Sequence, residues 1–227
     1  MHETAPLKHN ENDTTGLRRR VFAVIEEAVL NGSYKQGESL IESKLASELG
    51  VSRTPIREAL TQLEHEGLVQ LIPNKGALVT GISPKDIQDI YTIRKLVEGL
   101  AARWAAEHIT EEETKELQEA VDLEEFYTSK ADIEHLIQLD SRFHQGIYKA
   151  SKSRPLMYML QTFHHYIQRA RTQSIGSPGR AQKALEEHKA ILQAISARDG
   201  EKAERLTAAH IQKAQASLLK ALSLKPA

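Results

Sequence analysis

The feature that most constrains the fold of this 227-residue chain is a change of hydrophobic periodicity at residues 81–84, which read GISP. Before this point, helical patterns are followed by two short alternating stretches, LVQLI and ALVT, joined by PNKG. After it, the apolar residues recur with the three-to-four-residue spacing of helices. The sequence therefore predicts a mixed domain over residues 14–82 and an all-helical domain over residues 83–227. We expect the polar residues 1–13 to form a flexible arm.

The all-helical half is divided by turn-forming residues into six segments of helical length. Short connections between helices favour antiparallel neighbours packed as a bundle. The sequence thus predicts a six-helix antiparallel bundle. The predicted helices cover residues 84–108, 111–129, 132–150, 154–173, 178–198 and 201–221.

The mixed half shows the order helix, short helix, glycine turn, third helix and hairpin. The first two helices are predicted over Leu17–Leu30 and Ile41–Leu49, and Gly50 supplies the sharp turn that a helix-turn-helix requires. A third helix starts near Arg53, and the hairpin after it would form a wing with Asn74-Lys75-Gly76 at its tip. The predicted fold class is therefore mostly α, with an N-terminal winged helix-turn-helix before the bundle.

The start of the third helix has the residue types that contact DNA. Ser52 or Thr54 can cap the helix, whose first backbone N–H groups can meet a phosphate. Arg53 and Arg57 stand where a recognition helix contacts guanine edges in the major groove. The alternative is a well-capped helix with solvated arginines, but the complete order of elements favours a DNA-binding domain.

The positive charge of this domain is local, because the whole chain carries a formal net charge of −1. Besides the arginines of the third helix, Lys44 and Lys75 are the cations placed to meet the DNA backbone. Few phosphate contacts per subunit give modest affinity and a shallow salt dependence. We therefore expect two subunits to bind one palindromic site.

The all-helical half offers a group of possible metal ligands. Asp140 and His144 are four residues apart and project from one helix face. His188 and His210 lie at similar distances before and after the turn at residues 199–200, so an antiparallel hairpin places them at one level. Because the chain has no cysteine, these four would form a nitrogen and oxygen site for Zn²⁺, Ni²⁺, Mn²⁺ or Fe²⁺. The alternatives are a surface Asp–His pair and hydrogen-bonded core histidines.

The segment GESLIESKLASELGVSRTPIREALTQLEHEGLVQLIPNKGALV resembles the winged helix-turn-helix of the GntR family of bacterial transcription regulators. The resemblance implies that Arg53, Thr54 and Arg57 contact the operator and that Lys75 lies at the wing tip. Where some relatives carry a basic residue in the second helix, this chain has Ser43 followed by Lys44, which is the candidate to replace that contact.

Residues from about 84 to 222 resemble the FCD ligand-binding domain of the FadR subfamily, and the predicted count of six helices places them nearer its VanR-like branch. The resemblance implies a divalent metal, with Zn²⁺ preferred, and open coordination positions for a small carboxylate effector. It also implies that Arg94 pairs with that carboxylate, although a bridge from Arg94 to Glu98 is the alternative. The implied metal ligands are Asp140, His144, His188 and His210.

The sequence thus indicates a homodimeric, DNA-binding transcription regulator, with repression as the expected action. The helical domain would supply the dimer interface and bind a small organic acid. A regulator that senses the ion itself is one alternative, and a metal-dependent hydrolase is another, although the sequence shows neither HExxH nor GxSxG. We expect His164 and His165 to line the pocket or face solvent rather than to bind the metal.

The N-terminal residues contain no hydrophobic signal region, and no apolar run approaches the length of a membrane helix. We therefore expect a cytoplasmic protein without a membrane partner.

Overall fold

The computed structural model describes residues 14–73 and 75–223. The flexible arm predicted at residues 1–13 and the predicted wing-tip residue Asn74 lie outside the described residues. The chain divides into two compact units, with the division between Ser83 and Pro84.

The first unit is a helix-turn-helix with a small antiparallel sheet in the strand order β1-β3-β2. The predicted hairpin is present, and a two-residue strand that the sequence pattern did not predict pairs with its second strand. Two residues are too short to show alternation, so this strand is defined only by its partner. The elements are α1 (Thr14–Leu30), β1 (Ser39–Leu40), α2 (Glu42–Leu49), α3 (Arg53–His65), β2 (Val69–Ile72) and β3 (Gly76–Val79).

Only one face of α3 packs into the core of the first unit. Ile56, Leu60 and Leu63 of α3 are fully buried, and α3 packs against α1. Gly50 ends α2 in the left-handed conformation, with φ of 66°, and its N–H group donates to the carbonyl oxygen of Ala46. This is the sharp turn that the sequence predicted, and it leaves the polar face of α3 at the surface.

The second unit is an all-helical bundle in which α4 and α10 form the most extensive contact. Ala101, Ala102 and Ala105 of α4 are completely buried, and such small side chains allow the neighbouring helices to approach closely. Across residues 14–73 and 75–223, no helix combines the length and the apolar character needed to cross a membrane. The helices are α4 (Pro84–His108), α5 (Glu111–Ser129), α6 (Ile133–Ala150), α7 (Arg154–Tyr166), α8 (Gln168–Ile175), α9 (Arg180–Ser196) and α10 (Gly200–Ser223).

The predicted number of six helices is wrong, because the segment predicted as one helix over residues 154–173 forms α7 and α8. The break lies at Ile167, whose φ of −101° and ψ of 10° depart from helical values. No glycine or proline marks this position, so the helical periodicity runs through it without a signal. The bend buries Ile167 and turns Arg171 into the interior. With seven helices in the described part of this unit, the basis for choosing the VanR-like branch is lost.

The turn into β3 provides a test of the packing in the first unit. Gly76 has φ of +95°, and a Cβ atom there would overlap the carbonyl oxygen of Leu40 in the neighbouring strand β1. We predict that Gly76→Ala lowers the free energy of unfolding by roughly 1–3 kcal/mol or more, because left-handed strain adds to the clash. Chemical denaturation followed by circular dichroism measures this loss.

The matched control for this substitution is Gly37→Ala. Gly37 also has a positive φ, of +81°, but among the described residues nothing lies within 4 Å of a Cβ built there. This variant carries the dihedral strain alone and is expected to lose less stability. Equal losses for the two variants would contradict the importance of the close approach of β1 to Gly76.

Candidate metal centre and nucleic-acid interface

Four buried side chains from three helices of the second unit converge on one point. Asp140 and His144 come from α6, His188 from α9 and His210 from α10, and one ligand atom of each lies within 4.8 Å of the others. The rings of His188 and His210 have their centroids 4.7 Å apart, so the two helices hold them at one level. The structure therefore brings together all four residues that the sequence indicated.

The distances between the donor atoms are close to those of a coordination sphere. The Nε2 atoms of His144 and His210 are 3.2 Å apart. Oδ1 of Asp140 lies 3.8 Å from Nε2 of His144 and 3.7 Å from Nε2 of His188. Metal–ligand bonds of about 2.1 Å separate adjacent donors by ~3.0 Å in octahedral geometry and ~3.4 Å in tetrahedral geometry. A shift of the Asp140 carboxylate by a few tenths of an ångström would bring these distances into that range.

A glutamate carboxylate lies next to the Nδ1 atom of each of the three histidine rings. Carboxylates in this position orient metal-binding imidazoles and fix the tautomer, because Nδ1–H donates to the carboxylate and Nε2 presents its lone pair. Two of these pairs are hydrogen bonds, from Nδ1 of His188 to Glu124 at 2.8 Å and from Nδ1 of His210 to Glu187 at 2.7 Å. Nδ1 of His144 lies 2.9 Å from Oε2 of Glu98 as an ion pair, but neither atom makes a hydrogen bond within the described residues. All three Nε2 atoms are thereby left to face the shared centre.

A divalent cation fits this arrangement of donors. With the protons on Nδ1, the Nε2 lone pairs of His144 and His210 face each other, and buried Nε2 of His188 has no hydrogen-bond partner in the described part of the chain. Buried acceptors without a partner are unfavourable, and a bound cation would satisfy them together. Burial also lowers the pKa of His188, and burial followed by the nearby His188 ring lowers the pKa of His210. Both effects favour the neutral imidazole, which is the form that binds metal.

Arg94, the residue that the resemblance assigns to effector binding, is buried beside this centre. Its Nε donates to Oε1 of Glu98 at 2.5 Å, and its guanidinium lies 4.9 Å from the ring centre of Tyr91. The bridge to Glu98 considered from the sequence is therefore present. Arg94 also lines a small cavity next to His144, so its position is adjacent to the four donors.

Arg171 is a residue of the site that the sequence did not indicate. The bend between α7 and α8 directs it inward, where its guanidinium donates to Oδ2 of Asp140 and contacts the ring of His164. His164 also lies 3.1 Å from the hydroxyl of Ser141, and burial lowers its pKa to about 3. The structure therefore places His164 beside the candidate metal centre, and neither it nor His165 belongs to the group of four donors.

A third arginine, Arg180, lies beside the site. Its NH2 group lies 2.8 Å from Glu187, the carboxylate behind His210. Its NH1 group is buried and has no hydrogen-bond partner within the residues that the structure describes. Arg94, Arg171 and Arg180 all line the cavity next to His144 and His210, which has a volume of about 20 Å³.

In the first unit, the residues expected to contact DNA lie together at the surface. Ser52, Arg53, Thr54 and Arg57 are exposed around the start of α3. Ser52 occupies the N-cap position, but its side chain makes no capping hydrogen bond within the described residues. The expected side-chain cap is thus absent here, while the residues at the start of α3 remain exposed.

Arg57 has a partner that the sequence analysis missed. Its Nε and NH2 groups donate to the two carboxylate oxygens of Glu42 on α2, at 3.1 and 3.0 Å. This side chain is 69% exposed, so the pair lies at the surface. Lys44, also on α2, and Lys75, in the turn before β3, are exposed as well. Glu42 and Arg57 are 15 residues apart, so only the geometry of the helix-turn-helix brings them together.

Comparison with protein families agrees with both units. Residues 17–79 match the model of bacterial regulatory proteins of the gntR family. Residues 89–213, more than half of the chain, match the model of the FCD domain. The chain therefore belongs to the GntR family, as a DNA-binding transcription regulator with an FCD domain.

Individual relatives are similar over most of their length. The chain is 31% identical to the uncharacterized HTH-type transcriptional regulator YdhC of Bacillus subtilis, over 82% of this chain and 84% of that protein. It is 25% identical to the HTH-type transcriptional repressor RspR of Escherichia coli K12, over 91% of each. The solved structure of E. coli McbR/YncC is similar with a TM-score of 0.72 and 26% identity, covering 90% of this chain and 97% of that one.

The role of the glutamates next to the histidine rings can be tested without changing a candidate metal ligand. We predict that Glu124→Gln weakens Zn²⁺ binding roughly 10- to 100-fold, because His188 loses the charged partner that orients it. Competition titration against a chelating indicator measures the affinity.

Glu125→Gln is the matched control for this test. Glu125 is the next residue of α5, but it is exposed and pairs with Lys189 at 2.6 Å. Its substitution is expected to leave the Zn²⁺ affinity unchanged. Equal affinities for wild type and Glu124→Gln would show that Glu124 does not support a metal site.

Proposed function

We propose that this protein is a homodimeric transcription repressor whose operator binding is controlled by a small carboxylate held beside a divalent metal in the FCD domain. The observation that carries the proposal is the convergence of three imidazoles and one carboxylate, each ring supported by a glutamate, next to three arginines. The relative RspR is a transcriptional repressor, which supports repression as the action.

In the proposed complex, α3 lies in the major groove of the operator. Arg53 and Arg57 donate to guanine edges, and Thr54 contacts the adjacent base or phosphate. The exposed start of α3 at Ser52 meets a phosphate with its N–H groups. Lys44 and Lys75 add backbone contacts, which position the unit without reading the sequence.

The proposed metal ligands are Asp140, His144, His188 and His210. Zn²⁺ is the preferred ion, with Ni²⁺, Mn²⁺ and Fe²⁺ as alternatives that accept the same nitrogen and oxygen donors. The bound ion would supply a fixed positive charge and coordination positions that the protein does not fill. The role of this chain is to hold the rings neutral and oriented, through Glu98, Glu124 and Glu187.

The arginines beside the metal ligands favour an anionic effector. A guanidinium group binds a carboxylate with two parallel hydrogen bonds, and such charge-assisted bonds are the strong ones. Arg94 lines the cavity but already donates to Glu98, whereas Arg180 retains a buried NH1 group without a partner among the described residues. We therefore place the effector carboxylate between the metal and these two arginines.

The FCD domain also offers a surface for a second copy of the chain. Ile93 and Leu96 of α4 and Tyr158 and Met159 of α7 are exposed apolar side chains, and α4 packs against α7. Exposed apolar groups that cluster on a surface mark an interaction site. We propose that this α4–α7 face is the dimer interface, so that two copies of α3 bind the half-sites of a palindrome.

The proposed interface makes a direct prediction about the oligomeric state. Leu96 is 68% exposed, and Leu96→Glu would bury a charge without a partner in the dimer. We expect this variant to be monomeric by size-exclusion chromatography with light scattering and to bind a palindromic operator at least tenfold more weakly. Leu123→Glu, an exposed apolar position on α5, is the control that remains dimeric. A dimeric Leu96→Glu protein would rule out the α4–α7 face.

Two further variants separate DNA binding from sensing. Arg57→Ala removes a base contact and is expected to weaken operator binding roughly tenfold to a hundredfold while the metal content stays at wild type. His188→Ala is expected to lose stoichiometric metal and the response to organic acids, yet to bind the operator with wild-type affinity. Gel shifts and elemental analysis on the same preparations measure both properties.

The same experiment distinguishes the alternatives. Loss of operator binding in His188→Ala, with metal retained, would contradict the assignment of the two units. If Zn²⁺ alone changes operator affinity and no acid adds to it, the ion itself is the signal. We assign the site to binding rather than to hydrolysis, because the relatives are transcription regulators.

A further inference from the structure

The cavity next to the candidate metal ligands is much too small for an organic acid. Its volume of about 20 Å³ is enough for roughly one water molecule. A second and far larger space, of about 1260 Å³, lies on the other side of Arg180. Sites for small molecules usually have volumes of ~300–1,000 Å³, so only this second space has room for the body of an organic ligand.

The larger space is a groove between α9 and α10, and we call it the α9–α10 groove. Apolar side chains form part of its lining, including Ala190 of α9 and Leu206, Ala209 and Ala216 of α10. Its charged lining residues are four cations and two carboxylates, which gives a net charge of +2. An apolar surface with an excess of positive charge is complementary to an anion that has an apolar body.

Arg180 connects this groove with the metal centre because it lines both spaces. Its side chain is only 6% exposed, and its NH2 group is paired with Glu187. Its NH1 group is buried and finds no acceptor in the described residues. A buried donor without a partner is unfavourable, and a ligand carboxylate at the inner end of the groove would satisfy it.

We propose that the α9–α10 groove binds the apolar body of the effector, with the effector carboxylate at Arg180. The effector class is then a carboxylic acid whose carboxylate lies at Arg180 beside the metal centre and whose apolar body extends along the groove. This inference rests on the proposed function, because it names the class of molecule that the regulator senses. Lys183 and Lys213 also line the groove and belong to its excess of positive charge.

A series of straight-chain acids tests this inference on the full-length, zinc-loaded protein. Acetate, butyrate, hexanoate and octanoate are titrated in a calorimeter, and each is added to the operator gel shift. Burial of one methylene group contributes a factor of about four in affinity. We expect the dissociation constant to fall about fourfold for each added methylene, while acetate binds only weakly.

A variant in which the groove is blocked is the comparison for the acid series. Ala209 is an exposed residue of the groove wall, and Ala209→Trp would fill the space beside it. We expect this variant to lose the dependence on chain length and to keep the metal and the acetate affinity of the wild type. Gln212→Trp places the same side chain at an exposed position of α10 outside the groove-lining residues, and it should retain the full dependence.

The outcomes separate this inference from the function on which it rests. Acids that bind with equal affinity at every length, or a chain-length dependence that survives Ala209→Trp, would overturn the role of the groove and leave the metal-linked regulator standing. If none of the acids binds the zinc-loaded protein or changes its operator affinity, the carboxylate-controlled function fails, and the proposed role of the groove fails with it.

Discussion

The close contacts between imidazole Nδ1 atoms and glutamates are the interaction on which the second unit depends. They reach across the bundle, since Glu98 lies on α4, Glu124 on α5 and Glu187 on α9, while the rings lie on α6, α9 and α10. Ionised groups are unfavourable in a bundle interior unless each is paired and hydrogen-bonded. The helices are therefore packed around a polar centre in which Glu124 and Glu187 hold the rings of His188 and His210. Arg171 holds the carboxylate of Asp140.

In the first unit the paired charges lie at the surface and not in the interior, because its cations must remain accessible to DNA. The Glu42 carboxylate holds the Arg57 guanidinium at the surface in a two-bond geometry, and the hydrogen bond from Arg57 lowers the pKa of this carboxyl group. Exposed pairs of this kind contribute little to stability. Their effect is instead on orientation, since a guanidinium held in one direction loses less freedom when it meets a guanine. A chain with a net charge of −1 can thus present cations locally without being an indiscriminate binder of nucleic acid.

Sequence periodicity could predict the helix-turn-helix, the hairpin and most helices, because each of these depends on neighbouring residues. The four donors were also predictable, since one pair shares a helix face and the other pair is related by a hairpin turn. The glutamates next to the rings could not be predicted, because Glu124 and His188 are 64 residues apart and no local sequence pattern links them. The position of Arg171 could not be predicted for a different reason: the helical pattern of the sequence continues through Ile167, where the structure has a break between α7 and α8.

Glu187 connects the proposed effector-binding residue Arg180 with the candidate metal ligand His210. Its carboxylate accepts from Nδ1 of His210, pairs with Arg180 and lies 3.2 Å from Nζ of Lys213. In the proposed mechanism, a ligand carboxylate that binds NH1 of Arg180 shares this guanidinium with Glu187, which is paired with NH2. The hydrogen bond that Nδ1 of His210 donates to Glu187 changes in response. Hydrogen bonds to charged groups contribute roughly 1.5–3 kcal/mol, and a ligand can shift a conformational equilibrium only by its difference in affinity for the two states. Exchange of one such bond therefore limits the coupling to about 10- to 150-fold in operator affinity, which is the usual range for allosteric proteins.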